Sequence, residues 1–273
     1  MLSLRICSRP FAISKTRKGL EQTLALTCPR NVSQSSPRSL CFCAKPIEPN
    51  GLTSASSTSE NHLPHDSPLS GVEDVLVSYI FGKKRATEVA HSVWKHVVQK
   101  GDTVIDATCG NGYDTLAMLK MVADESGRGC VYAMDIQKDA LLNTYSLLEQ
   151  SLNPNEIELV KLLPICHSEM DKVVSENASV RLVAFNLGFL PGGDKAIITK
   201  PETTLPALEA AKKILMPGGL ISLVVYVGHP GGWQEWETVQ SFASGLPLDN
   251  WVCCKFQMLN RPWAPIPVFL FKR

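Results

Sequence analysis

From about Gly71 onward the chain alternates between two hydrophobic periods. Stretches with apolar residues three and four apart predict helices, and short β-branched runs predict strands. Val89, Val93 and Val97 give "ATEVAHSVWKHVVQ" the helical spacing, and "DTVIDAT" reads as the strand that follows it. The predicted order continues with helix "YDTLAMLKMVAD", strand "GCVYAMD", and helix "KDALLNTYSLLEQSL", which "NPN" ends. Strands "IELVKLL" and "VRLVAFNL" come next, then helix "PETTLPALEAAKKILM" with Pro201 suited to its first turn. Strand "GGLISLVVYV", helix "GGWQEWETVQSFASGL" and strands "WVCCKFQML" and "PIPVFLFKR" close the chain. Such alternation predicts an α/β fold, a mostly parallel sheet with helices on both faces. The last two strands, joined through "NRPWA" without a helix, predict a C-terminal antiparallel hairpin.

The chain has 273 residues, enough for one α/β domain and an appendage. Residues 1–70 have a different composition from the rest. Eight of the 27 Lys and Arg lie there against four of the 26 Asp and Glu, and Ser, Thr and Pro are dense. A basic, hydroxyl-rich and acid-poor leader is the composition of an organellar transit peptide, here read with a disordered linker; a tail without an address is the alternative. Its length and serine content favour the chloroplast over the mitochondrion. The remaining body, 71–273, holds 19 basic and 22 acidic residues, a formal charge of −3. It is not a general polyanion binder, so nucleic-acid contacts must come from local clusters such as Lys83–Arg85. No apolar run approaches the roughly 20 residues of a helical membrane span. The nine cysteines include no CxxC pair and read as reduced thiols, with neither a disulfide frame nor a metal site.

Two loops carry chemistry. "DATCGNGYDT", Asp106 to Thr115, joins the first strand of the body to its helix. A Gly-x-Gly turn there lets backbone approach a ligand. The third glycine of a dinucleotide fingerprint is replaced by Thr115, and Asp106 and Asp114 would repel a pyrophosphate. Carboxylates suit a cationic ligand instead, such as S-adenosylmethionine (SAM) with its ammonium and sulfonium. Asp135, at the end of the second strand, is placed to accept from ribose hydroxyls. A structural turn and a nicotinamide site are the competing readings. The second loop, "FNLGFLPGGDK", ends a buried-looking strand in Asn186. Asn-Leu-Gly-Phe has the shape of the Asn-Pro-Pro-Tyr/Phe loop of amino-directed methyltransferases. There the Asn oxygen and a following carbonyl accept from the target amine and aim its lone pair. Asn186 as a plain turn residue is the alternative.

In order, "DATCGNGYDT", "DIQ", "FNLGFLPGGDK" and "VYVGHPGGWQEW" resemble the motifs of the YtqB/MnmM-like methyltransferases, over roughly Val72 to Arg273. The resemblance implies a class I methyltransferase (Rossmann-like) fold with a seven-stranded, mostly parallel sheet. It also implies SAM contacts at Asp106, Thr108, Gly110, Asn111, Gly112, Asp114, Thr115, Asp135 and Gln137. The implied reaction is methylation of the exocyclic amine of 5-aminomethyl-(2-thio)uridine at the tRNA wobble position, which makes the anticodon region of tRNA the partner. Other readings are an rRNA or small-amine N-methyltransferase and a non-catalytic RNA-binding module. Phe189 stands where Tyr is common, and "VGHPGG" where Pro-Gly-His-Glu-Gly is usual.

An alkylamine is mostly protonated at neutral pH, so the site must favour the free base or take its proton. Asp194 and His229, in glycine-rich loops of the same edge, are the candidate acceptors beside Asn186. Imidazole is the side chain best suited to exchange protons near neutrality. Phe189, Gly192, Gly193 and Lys195 are the candidate substrate contacts, with Phe189 stacking on a base. His167, after the third strand, stands where class I enzymes often contact adenine, and His91 is a possible pocket-lining residue. The helix around Trp233 and Trp236 reads as packing rather than a base cage. Lys195, Lys200, Lys255 and Arg261 are scattered cations that could meet phosphates.

Overall fold

A computed structural model describes residues 71–124, 127–174 and 179–273. The expected transit segment, 1–70, lies outside the described residues. The described chain runs through α1 (Glu73–Ile80), α2 (Ala86–Val97), β1 (Thr103–Asp106), α3 (Tyr113–Val122) and β2 (Cys130–Met134). It continues through α4 (Lys138–Ser151), α5 (Pro154–Ile157), β3 (Val160–Leu163), a 3₁₀ turn at His167–Glu169, α6 (Met170–Val173) and β4 (Val180–Leu187). α7 (Pro201–Ile214), β5 (Leu215–Val225), α8 (Gly232–Ser244), β6 (Trp251–Lys255) and β7 (Ile266–Lys272) complete it.

The seven strands form one sheet in the order β3-β2-β1-β4-β5-β7-β6. β7 runs antiparallel to both β5 and β6, and the other pairings are parallel. This is the sheet that the class I methyltransferase resemblance implies. The closing hairpin is inserted, so that β7 rather than β6 lies beside β5.

Parity along β4 sorts its side chains between two cores. Val183, Phe185 and Leu187 join Leu208, Trp236 and Val239 of α7 and α8 on one face. Leu182 and Ala184 join Val89 and Trp94 of α2 and Met118 and Leu119 of α3 on the other. Ala86, Val89, Ala90 and Trp94 make the buried stripe of α2. Burying a valine, leucine, methionine or phenylalanine of these cores contributes roughly 1.5–3 kcal/mol. Trp236, 4% exposed, belongs to this packing as expected. Asn186 shares the parity of Leu182 and Ala184, and so points toward α2 and α3. Asp106, paired in register with Ala184, shares it too.

Two local differences from the sequence expectation have clear causes. "NPN" does more than end α4. The Asn153 side chain accepts from the Glu156 N–H at 3.1 Å, and Glu156 accepts from the Asn153 N–H at 3.2 Å. That reciprocal box, with Pro154 in the first turn, starts the extra helix α5. β5 also begins earlier than "GGLISLVVYV": Leu215 already pairs with Val180, and the register shifts before Leu220 pairs with Leu182. The short helix α1 has no counterpart in the sequence reading.

Candidate active site

The carboxyl ends of β1 and β4 are neighbours, so the two loops that follow them meet on one rim of the sheet. The Asn186 N–H donates to Thr108 Oγ1 at 2.7 Å, and Asn111 Nδ2 donates to the Pro191 carbonyl at 3.0 Å. These bonds tie "DATCGNG" to "FNLGFLPGG". Gly112 is where the first loop turns into α3. Its φ is +83°, and a Cβ there would stand 2.8 Å from Thr144 Cα of α4, so glycine is required twice over.

Asp106 is buried at the end of β1. One carboxylate oxygen accepts from Thr115 Oγ1 at 2.6 Å and the other from the Thr108 N–H at 3.3 Å. Burial, and after it the charge of Asp114, push Asp106 up to about 7. Asp135, just beyond β2, accepts from the Gly110 N–H at 3.1 Å and the Gln137 N–H at 2.9 Å, and burial raises it as well. A carboxylate has about four acceptor positions, so Asp135 keeps capacity for a diol. A cationic ligand would offset the repulsion between Asp106 and Asp114. The set of acceptors therefore fits the ribose and ammonium groups of SAM.

Asn186 is held from one side. Its Nδ2 donates to Asp114 Oδ2 at 2.6 Å, and the other Asp114 oxygen accepts from His91 Nε2 at 2.6 Å. A carboxylate only accepts, so it selects the amide end it faces. Asn186 Oδ1 is directed away from it, buried, and without a partner among the described residues. An unmet buried acceptor costs about 1–3 kcal/mol, which a ligand donor would recover.

Beyond Asn186 the loop folds back on itself. Phe189 bridges to Ile198, and the Thr199 N–H donates to the Gly188 carbonyl at 2.9 Å. Phe189 meets the His229 ring edge-on at 6.0 Å, with Lys195 Nζ 5.9 Å from its centroid. His229 Nδ1 lies 2.9 Å from the Pro230 carbonyl, which fixes the ring proton on Nδ1. Nε2 is left as an acceptor, buried and unpartnered among the described residues. Under this loop Glu235 of α8 is fully buried, and its two oxygens accept from Thr199 Oγ1 at 2.8 Å and Thr204 Oγ1 at 2.6 Å.

Several expected contacts have other partners. Thr115 is buried and locks Asp106 rather than facing the cleft, and Asn111 joins the two loops. Both Asp114 oxygens bind protein groups, and through one of them the residue fixes the Asn186 amide in one orientation. His167 turns inward: Nε2 is 3.2 Å from Thr203 Oγ1, the ring meets Phe185 at 5.8 Å, and burial lowers it to about 4. It is thus a neutral strut packed against α7. Asp194 is exposed and caps its own turn, where Oδ1 accepts from the Ala196 N–H at 2.8 Å. Gly192, at φ +86°, opens onto free space, whereas a Cβ on Gly193 would press on Leu190 at 3.0 Å. Glu235 carries no functional signal in the sequence, and His91 only a weak one. Their signals, an acid between two tryptophans and a histidine on an amphipathic helix, are common in helices with no function.

The model of the family described as "Putative rRNA methylase" matches residues 131–272. A protein of Arabidopsis thaliana, "tRNA (mnm(5)s(2)U34)-methyltransferase, chloroplastic", is 66% identical over 209 residues, 76% of each chain. Among solved structures, a "putative rRNA-methylase" from Clostridium thermocellum is 38% identical with a TM-score of 0.64, covering 70% of this chain and 98% of that one. A "putative methyltransferase" from Streptococcus mutans in complex with SAH is 33% identical with a TM-score of 0.60, covering 70% and 99%. A match over more than half of the sequence, together with a relative this similar, shows that the chain belongs to the family described as "Putative rRNA methylase".

Proposed function

We propose that this protein transfers a methyl group from SAM to the exocyclic amine of 5-aminomethyl-(2-thio)uridine at the wobble position of tRNA, in the chloroplast. The observation that carries the reading is the buried Oδ1 of Asn186, unpartnered among the described residues and turned away from Asp114 beside the Gly-x-Gly loop. The name and 66% identity of the Arabidopsis relative support the substrate and the compartment. The basic, serine-rich leader supports the compartment independently.

Asp135 and the Gly110–Gly112 turn would hold the ribose side of SAM, and Asp106 its cationic end. When bound, SAM supplies a methyl on a sulfonium, an electrophile that needs a neutral nitrogen lone pair. The lone pair is the substrate amine's, and the chain's residues free and aim it. Asn186 Oδ1 accepts one amine hydrogen and fixes the direction of the lone pair. The Leu187 carbonyl accepts from the Tyr226 N–H at 3.0 Å and has a second lone pair for the same amine. Phe189 offers a face to the base. His229 Nε2 takes the proton that separates the ammonium from the reactive amine.

The test is nucleoside mass spectrometry of tRNA incubated with enzyme and labelled SAM. Label in the 5-methylaminomethyl nucleoside is expected. Label that enters rRNA and leaves tRNA unlabelled would overturn the substrate assignment, and no transfer to either RNA would overturn the reaction.

A further inference from the structure

We infer that RNA flanking the target nucleotide docks on the rim where the loop between α1 and α2 meets the loop between β6 and β7, its phosphates on Lys83, Arg85 and Arg261 and one base on Trp263. This rests on the tRNA reading above. The two loops are far apart in sequence and side by side in space. A Cβ placed on Gly82 would lie 3.5 Å from the Arg261 guanidinium, and the Tyr79 hydroxyl donates to the Pro265 carbonyl at 3.1 Å. The rim continues into the cleft: a Cβ on Gly228, next to His229, would lie 3.5 Å from the Trp263 carbonyl and 4.0 Å from its Cβ.

Charge and shape select the partner. Lys83, Lys84, Arg85 and Arg261 are all exposed. Glu88 takes Lys84 at 2.7 Å and stands 4.0 Å from Arg85. Four cations against that carboxylate leave a local excess of three positive charges on a body whose overall charge is negative. Large apolar side chains sit among them, with Phe81 73% and Trp263 65% exposed. Cations beside exposed aromatics match the needs of single-stranded RNA, which presents phosphates and unstacked bases together. A nucleotide held at Asn186 obliges its neighbours to cross the adjoining surface. By contrast, Lys255, another cation of the sequence reading, already lies 4.7 Å from the Trp236 ring centroid and binds Gln240 at 2.8 Å.

The experiment compares wild type, Lys83→Gln/Arg261→Gln and Trp263→Ala in methyl transfer to tRNA across a salt series, with SAM binding measured by calorimetry. The double variant is expected to raise KM for tRNA on the order of ten-fold at moderate salt, and to lower the slope of log KM against log salt by about 1 to 2. Trp263→Ala is expected to raise KM on the order of ten-fold with the slope kept, because stacking carries no counterion release. SAM affinity should stay within about two-fold in all three. An unchanged KM and slope in the double variant, with wild type active on tRNA, overturns the rim. So does a loss confined to kcat. If wild type methylates no tRNA, the functional reading fails separately, and filter binding of the same tRNA judges the rim: weaker binding by the double variant supports it, and equal binding overturns it.

Discussion

Asp114→Asn tests the arrangement of the site in one atom. In the native protein the Asp114 carboxylate accepts from His91 Nε2 and from Asn186 Nδ2, each at 2.6 Å. A hydrogen bond to a charged group contributes about 1.5–3 kcal/mol. Turning the Asn186 amide end for end would give up that bond, so the reversed amide is held to between roughly 1 in 12 and 1 in 140. An asparagine at position 114 removes the selection. Its oxygen would face His91 Nε2–H, its NH₂ would then face Asn186, and the Asn186 amide would reverse to accept from it. The amine would meet an N–H donor where it needs an acceptor. It would also lose the negative charge that, through Asn186, favours positive charge building up on the nitrogen. The expected loss is the worth of that one charge-assisted bond, roughly 10- to 150-fold in kcat/KM for tRNA. The assay is steady-state transfer of labelled methyl groups to unmethylated tRNA, with SAM affinity measured alongside and expected within about five-fold of wild type. A variant within two-fold of wild-type activity, or one whose SAM affinity falls as far as its rate, would refute the orienting role.

Asn186→Ala should lose most transfer, on the order of 10²-fold or more for a displaced amine, while calorimetry gives near-normal SAM binding; equal loss of both would move Asn186 into the cofactor pocket. Asp106 stands at about 7 when folded against an ordinary 3.8. In that window the native state holds the extra proton, so raising pH through it costs the ligand-free protein stability. The melting temperature of Asp106→Asn relative to wild type should therefore rise between about pH 4 and pH 7, and a difference independent of pH would refute the shift. Gly112→Ala forces a side chain to φ +83° and onto Thr144. Backbone strain of about 1–3 kcal/mol should lower the melting temperature by roughly 2–12 °C and weaken SAM binding, and an unchanged melt would show that the turn relaxes freely.

The fold was largely legible because its signals are local. Period-two and period-3.6 runs mark β1, β2, β4, α2 and α8, and a terminal pair of strands without a helix marks the hairpin. α1 escaped because its eight residues mix apolar and acidic positions without a wide stripe. The loop glycines and Asn186 were legible because a strand that ends in Gly-x-Gly or Asn-x-Gly has few structural reasons to do so.

Sequence by itself determined which residue types stand at the strand ends, the charge contrast between residues 1–70 and the rest, and the order of the elements. Tertiary structure decided what each polar group touches. It joined His91 of α2, Asp114 of α3 and Asn186 of β4 into one chain of bonds, turned His167 inward, and placed Glu235 beneath the loop that follows β4. Chain packing brings together residues far apart in sequence, Asp114 and Asn186 across 72 positions and Tyr79 and Pro265 across 186, and no local pattern records such a meeting. A side chain's role follows from which of its lone pairs and protons remain unused, and only the assembled neighbours settle that.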